Sequence, residues 1–199
     1  MPVPHARPGR PRSYEFTPVD GFANRDAAYL VSGLDELQER LYDVIRDLPP
    51  EALAFVPAGG TNSIAMLCTH MAWAEATWVC SVMRRDVPEE IRQLLKGGSQ
   101  DSTGELPARD DATDAVRLVD AAKKVRDAIT KTLLPPVVDI DAEVVAGART
   151  LSVRGVLLNQ LWHWTYHTGQ VGMLRRLSGA RYNWTYGDRI APRGPGRDS

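Results

Sequence analysis

The segment 161–177, LWHWTYHTGQVGMLRRL, holds His163 and His167, two of the four histidines in the chain. Four residues apart, they leave the same side of a helix one turn from each other. Two readings of that spacing stand open. Either they are core histidines satisfied by neighbouring groups, or they hold a ligand. With His163 set at zero and about 100° per residue, His167 lies about 40° away and Val156 and Leu174 near 20°. On the same scale Gln170 falls near −20°, Asn159 near −40° and Gln160 near 60°. Arg154, Arg175 and Arg176 fall on the outward side. The imidazoles are therefore expected to face inward, surrounded by amides.

His70 lies in a second apolar run and shares a helix face with Ser63, Met66, Leu67, Ala74 and Thr77. Ala74, one turn on, leaves room beside its ring. Glu75 lies about 140° round the helix from His70 and is not expected in the same site. His5 stands in a Pro- and Arg-rich stretch and is set aside. Three inward histidines could not all be protonated in an apolar interior. A divalent cation resolves this, because it takes neutral imidazole nitrogens as ligands. Gln160 and Gln170 are placed to orient imidazole N–H groups or a bound water.

Other residues carry weaker chemistry. Tyr166, about 60° off the histidine face, is a candidate proton donor or else a packing residue with a partnered hydroxyl. Cys68 and Cys80 sit twelve residues apart on one expected helix, separated by roughly 18 Å. A disulfide needs Cα atoms within about 7 Å, so both read as buried thiols in a reducing compartment, and the protein as cytoplasmic. Trp73, Trp78, Trp162 and Trp164 read as core packing or a dimer interface, or, in a sharper reading, as a pocket wall. Arg84 and Arg85 complement a helix dipole.

These residues must be positioned by helices. Leu30, Leu34, Leu37, Leu41, Val44, Ile45 and Leu48 recur at three and four, which predicts a helix over about 24–47, stopped by Pro49 and Pro50. A second is expected over about 62–85, capped by Thr61 or Asn62 and apolar on several sides. Pro88–Lys96 reads as a short helical turn with Pro at its first position. The third helix, about 112–133, carries Ala115, Leu118, Val119, Ala122, Val125, Ile129 and Leu133. A loop with a short extended piece spans 137–150, and the fourth helix runs from the Ser152 cap to about Leu177. Gly179 follows where a left-handed cap often sits. Four amphipathic helices and almost no strand signal predict an all-α protein, a four-helix bundle. Residues 1–20 read as a flexible N-terminal arm, 21–189 as the bundle domain and 190–199 as a flexible tail.

Bulk properties agree. A chain of 199 residues with 43 % hydrophobic and 25 % charged residues suits one soluble domain. A net charge of −1 offers no nucleic-acid surface, and no apolar run is long enough to predict a membrane span. The N-terminal stretch lacks an apolar core, so no secretory signal is expected. The chain has 20 Arg against 4 Lys, a bias typical of GC-rich genomes and a weak hint about which thiols the cell contains.

The segments TNSIAMLCTHMAWAEATWV, with His70, and LNQLWHWTYHTGQVGMLRRLSG, with His163, His167 and the following Thr-Gly-Gln, resemble the DinB/YfiT-like family. The likeness covers roughly Ala27 to Gly179. It implies an up-down-down-up bundle, often a homodimer, with a divalent metal (zinc, nickel or iron) at His70, His163 and His167. It also implies thiol-dependent chemistry in which the metal activates a low-molecular-weight thiol of the mycothiol or bacillithiol type toward a small electrophile. No further carboxylate ligand is evident, so remaining coordination falls to water or substrate. A metal-bound hydroxide doing hydrolysis is equally open on chemical grounds. The alternatives are a non-catalytic metal-binding stress protein and a bundle with no metal.

Overall fold

The computed structural model describes residues 7–8, 16–101, 105–107 and 114–183. In chain order the elements are β1 (Arg7–Pro8), α1 (Arg25–Ile45), α2 (Pro50–Leu53), α3 (Ile64–Val82), α4 (Glu89–Leu94) and α5 (Ala115–Val125). A π-helical segment, Arg126–Thr130, leads into α6 (Lys131–Leu133), followed by β2 (Val144–Ala146), β3 (Arg149–Leu151), α7 (Val153–Leu177) and β4 (Tyr182–Asn183). The all-α expectation holds: among the described residues the strands form two small two-stranded sheets, β2 with β3 antiparallel and β1 with β4 parallel. Val19 and Phe22 pack against the core. Residues 1–6 and 9–15 of the expected arm, the expected tail 190–199, and 184–189 of the expected domain lie outside the described residues.

Each long helix starts where a side chain satisfies otherwise unpaired N–H groups. Asn24 accepts from the N–H groups of Asp26 and Ala27, Asp114 from Arg117, and Ser152 from Gly155. Each such cap is worth about 1 kcal/mol. Helix α3 is capped by Ser63, which accepts from the Met66 N–H, and not by Thr61 or Asn62. Asn62 is otherwise engaged, since its Oδ1 accepts from the Leu106 N–H at 3.3 Å. α3 ends with Arg84 at φ 51°, in the left-handed region, and the Arg85 N–H bonds the Cys80 carbonyl at 2.8 Å. Pro50 does more than stop α1, because it opens the single turn of α2. Pro88 stands at the cap of α4, one place before the position expected for it.

Ion pairs fix the helix directions. Arg154 meets Asp26 at 3.0 Å and Arg175 meets Asp47 at 2.7 Å, start to start and end to end, so α1 and α7 run parallel. Lys123 meets Glu39 at 3.4 Å while Lys131 meets Asp35 at 2.9 Å, so α5 runs against α1. Early α3 residues Cys68 and Ala72 face early α5 residues Leu118 and Ala121, and Glu75 meets Arg126 further along, so α3 and α5 run parallel. The order is up-down-down-up. α7 packs on α1 and α3, and α5 packs on α3 and α1, leaving α1 diagonal to α3.

α3 is the central rod: 15 of its 19 residues are buried, which explains its all-round apolarity. Between α3, α5 and α1 lies a buried polar knot. Arg126 gives Nε and Nη2 to Glu75 at 2.5 and 2.8 Å and Nη1 to Asp35 at 2.9 Å, and the Thr130 hydroxyl donates to Glu75 at 2.6 Å. Arg126 and Thr130 bound the π segment, so both knot residues on this helix belong to the stretch where the ladder widens. Arg175 does not face outward as its helix angle suggests. It is buried, forks onto Asp47 and reaches the carbonyls of Val44, Ala180 and Arg181. The chain leaving α7 folds back over α1, which turns an apparently solvent-facing position into an interior one.

Candidate metal centre

His70 from α3 and His163 and His167 from α7 converge. Their ring centroids stand 5.0 Å (His70–His163), 5.1 Å (His70–His167) and 4.5 Å (His163–His167) apart. Nε2 of His163 is 3.1 Å from Nε2 of His70. One nitrogen from each ring lies within 4.8 Å of the others, and among the described residues no carboxylate or thiol joins the group. Antiparallel packing of α3 on α7 brings this about, since it sets the middle of one rod against the middle of the other.

The environment keeps the rings neutral. Burial pushes the His163 pKa down to about 3, helped by the proximity of His167 and His70. Burial also lowers His70, partly opposed by the Gly98 carbonyl, and lowers His167, partly opposed by Gln170. The tautomers follow from the acceptors. Nδ1 of His70 lies 2.9 Å from the Gly98 carbonyl oxygen, which can only accept. Nδ1 of His167 lies 2.6 Å from Oε1 of Gln170, whose Nε2 in turn donates to the Tyr166 hydroxyl at 3.2 Å. Both rings carry the proton on Nδ1 and leave the Nε2 lone pair for the centre. Neutral imidazoles from two helices, with lone pairs convergent and outer nitrogens held, fit a divalent cation.

Gly98 is not among the residues that spacing and residue type point to. Its position demands glycine for contact reasons: a Cβ there would stand 2.5 Å from Cβ of Trp73 and 3.0 Å from the Thr69 carbonyl oxygen. The loop after α4 presses onto α3 and delivers its carbonyl to His70.

The remaining expected residues divide. Glu75 faces α5, away from the histidines, as its angle requires. Cys68 and Cys80 are buried thiols without a disulfide, and burial raises the Cys80 pKa, which suits a packing role. The tryptophans separate: Trp164 is fully buried core, Trp162 is 62 % exposed and stacked on Tyr166, and Trp73 and Trp78 line a groove. That groove, of about 460 Å³, runs beside His70 between Trp73, Trp78, Thr77, Ser99, Asp101 and Arg149. Arg149, from the β2–β3 hairpin, lies over the Trp78 ring, 4.8 Å from its centroid.

An up-down-down-up bundle with three convergent histidines from its second and fourth long helices defines the DinB-like class. Within that class the chain matches the mycothiol-S-transferase family over residues 29–179, and it belongs to that family. No curated protein matches the sequence. No helix among the described residues is long and apolar enough to cross a membrane.

Proposed function

We propose that the chain is a metal-dependent transferase that joins mycothiol, or a thiol of the bacillithiol type, to a small electrophile. The observation that carries this reading is the 3.1 Å approach of two imidazole nitrogens from different helices, in a cluster where His70 and His167 are already tautomer-fixed. His70, His163 and His167 are the proposed ligands of zinc, nickel or iron. Such an ion, when bound, supplies Lewis acidity that stabilises a thiolate near neutral pH. In the transfer, the thiol gives its proton to solvent, its sulfur forms the C–S bond, and the electrophile's leaving group departs with the electron pair of the bond that breaks.

The chain's own residues bind and orient. Trp73 and Trp78 offer flat apolar walls, and Thr77, Ser99, Asp101 and Arg149 offer hydrogen-bonding groups for a polar thiol body. Tyr166, weakly placed for proton transfer, has its oxygen occupied as acceptor from Gln170 and keeps its own proton to donate. The exposed stripe Leu158, Trp162, Tyr166, Met173 and Leu177 on α7 supports a homodimer, which sedimentation equilibrium reading only monomer would overturn. Two unbridged cysteines suit a cytoplasmic setting.

The test is elemental analysis of tag-free protein followed by a thiol panel with a chloro-dinitro arene. About one divalent ion per chain, lost in His70→Ala and His163→Ala, and turnover with mycothiol are the expected results. A metal-free wild type sinks the reading. Turnover with no thiol, together with a large stability loss on chelation, replaces it with a structural metal role.

A further inference from the structure

Two of the three histidines have an acceptor at Nδ1, the Gly98 carbonyl for His70 and Gln170 Oε1 for His167. Nδ1 of His163 is buried and has no hydrogen-bond partner among the described residues. Three residues earlier on α7 stands Gln160, 0 % exposed, with both Oε1 and Nε2 likewise unpartnered. One place beyond His163, the indole Nε1 of fully buried Trp164 is unpartnered too. Buried polar atoms of this kind are rare in folded proteins, and each calls for a physical reason. An apolar side chain of similar volume would fill the space without this penalty.

Residues three and four apart are neighbours on a helix, and side chains lean toward its N-terminus. The rings of His163 and Trp164 therefore both lean over the turn that carries Gln160. A carboxamide oxygen accepts two hydrogen bonds, and the terminal torsion of glutamine is broad, so its amide turns at little energy. We propose that Gln160 is the positioning residue of His163. Its Oε1 takes the Nδ1–H of His163, with the Trp164 N–H as second donor, and so directs Nε2 of His163 to the centre. Gln160 and Gln170 then act as a pair, one three residues before the first α7 histidine and one three residues after the second. The inference rests on the metal-site reading above: without an ion, the 3.1 Å contact to the Nε2 lone pair of His70 holds the His163 proton on Nε2, and an ion between the rings moves it to Nδ1, on the side of Gln160.

The experiment compares wild type, Gln160→Leu and Gln160→Glu by three readouts. These are the imidazole ¹⁵N and ring N–H proton shifts of metal-free and zinc-loaded protein near neutral pH, the zinc dissociation constant by chelator competition, and thermal unfolding of metal-free protein. Wild type should show His163 as the Nε2–H tautomer without metal, and with a hydrogen-bonded proton on Nδ1 when zinc is bound. In Gln160→Leu the Nδ1–H of zinc-bound His163 should lose its hydrogen-bonded shift and zinc should bind about 10–100-fold more weakly, with metal-free unfolding unchanged or raised. Gln160→Glu, which keeps an acceptor, should keep that shift and most of the affinity. An unchanged Nδ1–H shift and affinity in Gln160→Leu would overturn the inference. So would an affinity loss that merely tracks loss of metal-free stability. If wild type binds no zinc, the metal reading and this inference fail together, whereas zinc binding that Gln160→Leu leaves unchanged overturns this inference alone.

Discussion

The main-chain carbonyl oxygen of Gly98 lies 2.9 Å from Nδ1 of His70, and the backbone delivering it presses against Cβ of Trp73. Residues 28 apart thus share one constraint: the tautomer of His70 depends on a loop that can approach α3 only without a side chain. Gly98→Ala forces the loop outward by the van der Waals overlap with Trp73. Zinc affinity should fall about 10–100-fold through loss of the outer hydrogen bond, with about 1–3 kcal/mol of destabilisation from overpacking. Chelator competition and urea unfolding measure the two effects, and wild-type values in both would refute the constraint.

Acid should destabilise the metal-free protein through the histidines. In the fold, the His163 pKa is about 3 and those of His70 and His167 are lowered, while in the unfolded chain all three return to about 6.5. The unfolded state therefore binds more protons between those limits. Their share of stability is complete above about pH 6.5 and drains away as pH falls toward about 3. Urea midpoints across this range should decline for wild type and decline less for His163→Asn. Parallel curves for the two proteins would contradict the assignment.

The Glu75–Arg126 pair should be costly to break and mild to replace. Both side chains are 1 % exposed, so Arg126→Met strands a buried carboxylate and should destabilise the fold by about 3–5 kcal/mol. Glu75→Met combined with Arg126→Met removes both charges and should recover most of that loss. A double variant destabilised by the sum of the Glu75→Met and Arg126→Met losses, read in denaturant unfolding, would show the knot to be additive packing instead of a coupled pair.

Much of this architecture is legible without coordinates because helix formation is local. The repeats of Leu34, Leu41, Val44 and Ile45, the Ser152 cap, the proline stops and the His163–His167 spacing all depend on neighbours within a turn or two. The inward face of the three histidines is readable in the same way. Other features join residues far apart in the chain. The contact of His70 with His163 spans 93 residues, and that of Arg175 with the Val44 carbonyl spans 131. An angle on a helical wheel says which way a side chain leaves its own helix, not what stands there. Packing of α3 against α7 decided that the imidazoles meet. The return of the chain over α1 decided that Arg175 is interior, and the loop on α3 decided that Gly98 holds His70, because each of these is a long-range contact that local periodicity does not encode.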